Sequence, residues 1–599
     1  MSTATLAEPQ SAPYRDADFM PVDLEVERRD DGTVILRSRV PLGDYDSNLP
    51  RALAQSAQAR GPATAIAVRG ADGEWVHTSY AGLKHDIDAA TQWLLDRVPP
   101  GRTMLVMAGN GVPTATLIFA AYAAGVIHCP VGPAYGMAGG DHARLRHVIA
   151  KIKPALIYVD AHSTLAAAVA EVVGNDVTVL TPDPELFDRP ATRWSDVLAT
   201  VPGPAVGAAI AAIDPDAVAS YMLTSGSTGL PKIVPQSLAN IAAVAQQGTI
   251  AIGGAAASGT MLDWLPWYHA AGAGVLRTTL LRGGALHVDG GKPAPGLFEE
   301  TIRNLREIPI RYFNNVPLGY AMLVAAMETD AVLRKTFFGE MHLMLYGGAG
   351  LPQQVYDRLQ HFAVEETGHR IHMTTGYGMT ETVSGCMTIH FPTDKVGIGL
   401  PAPALDVKLV PYDDRYEVRL RGPNVMHGYL DEPEKTAQAF DDEGYYRTGD
   451  LATFHDPDVP EDGLAFAGRL AEEFKLSNGT WVYGGQMREA LLRALAPLAT
   501  ELVLCDDNRD YLALLVWPAP TADGDVLASI TARLRAFNSE QHGGSATVRR
   551  VKLLDCAPSV DAHEISDKGT INRRAVLDYR RDALAALYAA VPRPDVGIV

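Results

Sequence analysis

The stretch Tyr221-Met-Leu-Thr224-Ser225-Gly226-Ser227-Thr228-Gly229-Leu230-Pro231-Lys232 decides how this chain is read. Residues 217–223 (AVASYML) carry the β-branched and aromatic content of a buried strand. The glycines after it let backbone N–H groups point inward with no Cβ in the way. Ser225, Ser227 and Thr228 add hydroxyls, and Lys232 adds a point charge suited to an oligophosphate. A nucleotide P-loop would place a glycine directly before the lysine, where this chain has Pro231. The expectation is a loop that closes over outer phosphates without leading straight into a phosphate-capping helix.

Length and composition set the frame around this loop. A chain of 599 residues exceeds what one hydrophobic core serves, so several domains are expected. Hydrophobic residues make up 47% and charged residues 20%, which suits large globular cores. The net charge of −19 disfavours nonspecific binding to nucleic acid or to an anionic membrane. Cys129, Cys386, Cys505 and Cys556 are scattered with no metal-ligand or disulfide-framework spacing. The N-terminal stretch lacks a basic segment followed by an apolar core, and the longest uncharged run, 104–140, is broken by glycines and prolines. A cytoplasmic protein without a membrane span is the expectation.

Strands and helices alternate outward from the loop. Strands are expected at 103–107, 155–159 and 177–180, with helices at 114–124 and 164–173. A second block has strands at 261–265, 285–288, 310–313 and 343–346. This rhythm predicts parallel sheets. From Gly397 the texture changes to short strands and turns, and a small α+β region closes the chain. A Gly-x-Gly-x-x-Ala match at Gly397, Gly399 and Ala402 is not a dinucleotide fingerprint, because Pro401 and Pro403 forbid the helix it must open.

The stretch TSGSTGLPK (224–232) resembles the phosphate-loop motif of the adenylate-forming superfamily of acyl-CoA synthetases, aryl-acid adenylating domains and luciferases. Further motifs fall in the superfamily's order. They are Pro266-Trp267-Tyr268-His269-Ala-Ala-Gly272, Tyr346-Gly347-Gly348-Ala349-Gly350, Thr375-Gly376-Tyr377-Gly378-Met379-Thr380-Glu381, Tyr446-Arg447-Thr448-Gly449-Asp450 and Gly468-Arg469. Read alone, His269 is a core histidine, Gly347 to Gly350 a plain turn, and Asp450 and Arg469 surface residues.

The resemblance implies an α/β fold. It comprises a large N-terminal domain of two packed, mostly parallel sheets with helices, a small β-barrel subdomain and a mobile α+β C-terminal lid. The expected bounds are 1–40 for an N-terminal extension and 41–467 for the core, with its β-rich subdomain at about 395–467. The hinge is expected at 468–471 and the lid at 472–599. Nucleotide contacts fall to Thr224, Ser225, Gly226, Ser227, Thr228, Gly229, Gly348, Ala349, Gly376, Tyr377, Gly378, Asp450 and Arg469. In this set Tyr377 stacks on adenine and Asp450 accepts the ribose hydroxyls. Catalysis falls to Lys232, Thr380, Glu381 and Lys568, with Glu381 as the Mg²⁺ ligand, a hard oxygen donor. Trp267, Tyr268, His269, Gly272, Val316, Gly347 and Met379 line an acyl pocket, and Lys475 and Gly479 a coenzyme A channel.

Closer matches, including MLDWLPW (261–267) and GRLAEEFKLSNGTWV (468–482), resemble the feruloyl-CoA synthetase branch. That branch implies a hydroxycinnamate, ATP, Mg²⁺ and coenzyme A, no nucleic-acid or membrane partner, and leaves a homodimer open. Other aryl or aliphatic acids, transfer to a carrier protein, and nucleotide binding without turnover stand as alternatives. The superfamily's Gly-Lys-Ile run is here Asp567-Lys568-Gly569-Thr570-Ile571, which moves the lysine two positions, and Ala471 stands where the hinge commonly carries Asp or Lys.

Overall fold

A computed structural model describes residues 11–137, 142–224, 230–254, 258–294, 296–477, 481–505, 509–519, 522–540, 547–559, 562, 564 and 571–599. The strand Thr103–Met107 is buried along its whole length, as a central parallel strand must be. It lies in a seven-stranded sheet, with Ile127–Val131 on one side and Leu156–Val159 on the other. The sheet is parallel except for its edge pair, where Val218–Thr224 meets Lys232–Ser237 antiparallel. A second seven-stranded sheet carries Thr260–Asp263, Tyr312–Asn315, Leu343–Tyr346 and His372–Thr375 in parallel, with one antiparallel hairpin, Thr64–Arg69 to Trp75–Ser79.

Helices bind the sheets together. Val112–Ala124 is apolar almost all round and buried nearly throughout. Pro113 opens it and Gly125, at φ 66°, closes it in the left-handed region that glycine tolerates. With Ala270–Leu281 and Leu238–Ile252 it builds a shared core on the second sheet from Phe119, Tyr122, Ile241, Leu276, Met261 and Leu286.

The β-rich subdomain is a six-stranded antiparallel sheet from Asp406–Tyr412 to Leu464–Arg469. Two of its strands, Leu24–Arg28 and Val34–Ser38, come from the segment read in the sequence as an extension. Their hydrophobic residues, Leu24, Val34 and Leu36, complete its core. Beyond Arg469 a short 3₁₀ turn, Leu470–Glu472, leads to the C-terminal region. That region holds a four-stranded sheet (Ala499–Cys505, Leu512–Pro518, Val548–Leu553, Val596–Ile598) with helices Gly484–Leu495 and Val526–Glu540. Among the described residues no helix is long and apolar enough to cross a membrane.

Candidate active site

The sequence motifs leave the C-terminal ends of parallel strands. Thr224 ends Val218–Thr224, the segment 264–269 follows Thr260–Asp263, and Val316 follows Tyr312–Asn315. Gly347 follows Leu343–Tyr346 and Gly376 follows His372–Thr375. Strand carboxyl ends are where open α/β sheets bind ligands, since loops there can diverge without disturbing the ladder. Ser225 to Gly229 lie outside the described residues. Their flanks pair in register, Thr224 opposite Lys232, and the chain continues as a strand and not as a helix.

Lys232 is brought to Glu381. The ammonium stands 3.7 Å from a carboxylate oxygen and donates to the Tyr429 hydroxyl at 2.7 Å. Tyr429 in turn donates to that same oxygen at 2.9 Å. Burial lowers the Lys232 pKa, with the Glu381 charge acting against it. The backbone around Glu381 is held from three directions. Gln236 donates to the Thr380 carbonyl at 3.0 Å, Met426 N–H to that of Glu381 at 2.8 Å, and Asn424 to that of Thr382 at 3.1 Å. The following residue, Val383, is β-branched and buried yet has φ 67°, a costly conformation that persists only where the surroundings over-determine it.

Asp450, 6% exposed, accepts from the Tyr377 hydroxyl at 3.0 Å and from Arg469 Nε at 3.0 Å. Burial raises its pKa and Arg469 opposes the rise. Three of the residues read as nucleotide contacts therefore converge. Tyr377 lies in the short strand Tyr377–Gly378 against Gly385–Thr388. A Cβ at Gly378 would lie 2.1 Å from the Ser384 carbonyl, so only glycine allows this approach. Gly348 and Ala349 are exposed on the neighbouring turn, with Gly347 half-buried there.

The Pro266–Gly272 segment is folded onto itself. Asn110 accepts from Trp267 N–H and donates to the Leu265 carbonyl, both at 2.9 Å. A Cβ at Gly272 would lie 2.4 Å from the carbonyls of Leu265 and Pro266. Trp267 is 1% exposed and packs into the shared core, whereas the Tyr268 and His269 rings, 4.7 Å apart, are only half-buried. Met379 and Val316 are half-buried too. Val316 caps the helix Pro317–Met327, its N–H donating to Asn315 at 2.8 Å.

In the C-terminal region Lys475 lies in the strand Glu473–Lys475, while Gly479 and Lys568 lie outside the described residues. The ends of the segment carrying Lys568 are pinned. Asn572 N–H donates to the Glu564 carbonyl at 2.8 Å, and the fully buried Glu564 carboxylate takes two donors from Arg580 at 2.7 and 2.8 Å.

For a divalent cation the fit is of one kind. Among the described residues there is no cluster of three or more His, Cys, Asp or Glu that could hold a metal by itself. Glu381 and the Thr380 hydroxyl are hard oxygen donors side by side, which suits Mg²⁺ held through one carboxylate and substrate phosphates. Three residues went unread in the sequence. Tyr429 and Asn110 carry no local signal, since each acts through a partner distant in the chain. Arg415 is the third: it pairs with Glu473 in a buried ion pair between the β-rich subdomain and the C-terminal region.

The sequence matches the family described as AMP-binding enzyme over residues 53–430, and the AMP-binding enzyme C-terminal domain over 472–592. It is 28% identical over 496 residues to the sulfoacetate–CoA ligase of Cupriavidus necator, covering 76% of this chain and 88% of that protein. It is 26% identical over 497 residues to a feruloyl-CoA synthase of Amycolatopsis sp, covering 80% and 89%. Its fold resembles that of ATP-bound MatB from Rhodopseudomonas palustris (TM-score 0.68, 21% identity, 90% of this chain and 100% of that one). It also resembles the adenylation domain of a Mycobacterium chelonae carboxylate reductase (TM-score 0.71, 19% identity, 91% and 92%). With most of its length matched and the motif residues gathered at strand ends, the chain belongs to the AMP-binding enzymes of the adenylate-forming superfamily.

Proposed function

We propose that this protein is an ATP-dependent acid–thiol ligase that activates a hydroxycinnamate of the ferulate or p-coumarate type and transfers it to coenzyme A. The observation that carries the reading is the Lys232–Tyr429–Glu381 bridge beside the Tyr377–Asp450–Arg469 cluster. The first supplies charges for phosphates, and the second a buried carboxylate for a ribose. The feruloyl branch motifs and the alignment with feruloyl-CoA synthase support the acid.

In the first half-reaction a carboxylate oxygen of the acid attacks the α-phosphorus of ATP. The bond to the β-phosphate oxygen breaks, giving acyl-AMP and pyrophosphate. Two anions must meet, so Lys232 and a lysine from the lid, assigned to Lys568, offset repulsion and the developing charge. Glu381 with Thr380 would hold Mg²⁺, which when bound would supply Lewis-acid stabilisation of the developing phosphate charge. In the second half-reaction the thiolate of coenzyme A attacks the acyl carbon and AMP leaves. The lid turns about 468–471, withdraws Lys568 and offers the segment 474–479 to the pantetheine.

The test is thioester formation with ATP, Mg²⁺ and coenzyme A across ferulate, p-coumarate, caffeate, benzoates and medium-chain fatty acids. A hydroxycinnamoyl-CoA product is expected. Turnover of another acid alone would discard the hydroxycinnamate, and acyl-AMP that reacts with a carrier protein but not with coenzyme A would discard the ligase.

A further inference from the structure

Arg277 is 3% exposed on the helix Ala270–Leu281. Among the described residues its side chain has one hydrogen-bond partner, the Tyr122 hydroxyl at 3.2 Å, and no carboxylate within ion-pairing distance. Buried guanidinium groups are ordinarily paired, because desolvating the charge is costly. Close to it is His128, 2% exposed, with Nε2 buried and lacking a hydrogen-bond partner. Burial and the nearby charge of Arg277 hold that imidazole neutral, with its pKa down at about 3.

Arg277 and His128 stand on two elements that approach each other, the helix Ala270–Leu281 and the strand Ile127–Val131. From His269 to Arg277 the helix rises about 12 Å, and along the strand His128 stands about 13 Å from Gly132. The Gly132 end lies against the Pro266–Gly272 segment, since a Cβ on Gly132 would lie 3.0 Å from the Tyr268 ring. Ala270, Ala273, Gly274 and Arg277 fall at i, i+3, i+4 and i+7 on one stripe of the helix, and a Cβ on Gly274 would lie 3.2 Å from Ser384 Oγ, just beyond the Thr380–Glu381 turn. Side chains on a helix lean toward its N-terminus, so Arg277 leans toward the His269 end.

We propose that Arg277, seconded by Tyr122 and His128, determines specificity at the far end of the acyl pocket by donating to a terminal oxygen acceptor on the acid. Resting on the hydroxycinnamate reading, this names the para-phenolic oxygen as the group received. The free donors leave an acid without such an oxygen at a disadvantage, since it would bury an unanswered guanidinium. Sites built to bond a substrate hydroxyl reject the analogue that lacks it far more strongly than apolar pockets reject a missing methylene.

The experiment compares kcat/KM for acid-dependent pyrophosphate release with p-coumarate, cinnamate and 4-carboxycinnamate in the wild type and in Arg277→Met. The wild type is expected to favour p-coumarate over cinnamate by about 100-fold or more. The variant should bring the two within about threefold, by losing p-coumarate and keeping or gaining cinnamate. Retained cinnamate turnover shows that the variant folds. If Arg277→Met fails to fold, Tyr122→Phe reads the same ratio and should lower it about tenfold. Preference for 4-carboxycinnamate would assign the far end to a carboxylate in place of a phenol, still an oxygen acceptor. An unchanged p-coumarate to cinnamate ratio in a folded variant overturns the proposal. If the wild type turns over none of the three, the hydroxycinnamate reading falls separately. The same comparison is then made on the acid that is activated and its analogue lacking the distal oxygen, where an equal response to Arg277→Met overturns the proposal.

Discussion

The ammonium of Lys232 stands 3.7 Å from the carboxylate of Glu381, and the hydroxyl of Tyr429 bridges them. Glu381 is 5% exposed, so the bridge neutralises a charge that burial would otherwise penalise. It also stores, side by side, a cation and an anion that the ligase reading assigns to phosphate and to Mg²⁺. Replacing Tyr429 with Phe removes one acceptor from Lys232 and one donor from Glu381 and leaves the ring in place. We expect pyrophosphate release to fall about 10- to 100-fold and the Mg²⁺ concentration for half-maximal rate to rise. A rate loss with an unchanged Mg²⁺ profile would contradict this role for Tyr429.

Lys568 is assigned to the first half-reaction alone. Lys568→Ala should lower acid-dependent pyrophosphate release about 100- to 1,000-fold while thioester formation from synthetic acyl-AMP stays within a few fold of wild type. Glu564→Gln, which weakens the clamp on Arg580 at the base of the same segment, should shift the same step in the same direction by less. Equal losses in both half-reactions would remove Lys568 from this role.

The buried pair Arg415–Glu473 joins the β-rich subdomain to the first strand beyond the proposed hinge, and the Arg415 guanidinium also lies 4.5 Å from the centre of the Tyr483 ring. Breaking a buried pair by removing one charge typically costs about 3–5 kcal/mol. Glu473→Gln should therefore release the C-terminal region from this arrangement, seen as faster limited proteolysis across 469–473. The double variant Arg415→Met with Glu473→Leu should restore much of the protection. Cleavage as slow in Glu473→Gln as in wild type would show that the pair does not hold the lid.

Four buried histidines predict acid sensitivity. Burial lowers the pKa of His128 to about 3 and of His287, His372 and His390 to about 4. In the unfolded chain each titrates near 6.5, so below that pH the unfolded state binds more protons and stability is lost as pH falls toward 4. Each group contributes about 1 kcal/mol per pH unit across that window. Urea unfolding between pH 7 and 5 should show this slope, and His390→Asn should reduce it by roughly a quarter. An unchanged slope in that variant would contradict the assignment.

Much of the architecture was legible because apolar runs such as Thr103–Met107 and Leu343–Tyr346 are buried on both faces and announce themselves without partners. The family was legible for a different reason: the motifs at 224–232 and 375–381 hold glycines, hydroxyls and a carboxylate in a fixed order. What escaped the reading depends on distant chain. Leu24–Arg28 joins the β-rich subdomain through Val34–Ser38, which pairs with Asp406–Tyr412. Tyr429 meets Lys232 across 197 residues, and Asn110 meets Trp267 across 157. No local periodicity encodes such meetings. Trp267, expected in the acyl pocket with Tyr268 and His269, is 1% exposed among the shared-core residues, with its N–H held by Asn110.

The most direct test of the central claim, that this cleft joins a carboxylic acid to AMP, is ATP–pyrophosphate exchange measured with and without acid in the absence of coenzyme A. The account predicts exchange that depends on a hydroxycinnamate, requires Mg²⁺ and collapses in Glu381→Gln. ATP binding with no exchange above background for any acid tested would contradict it.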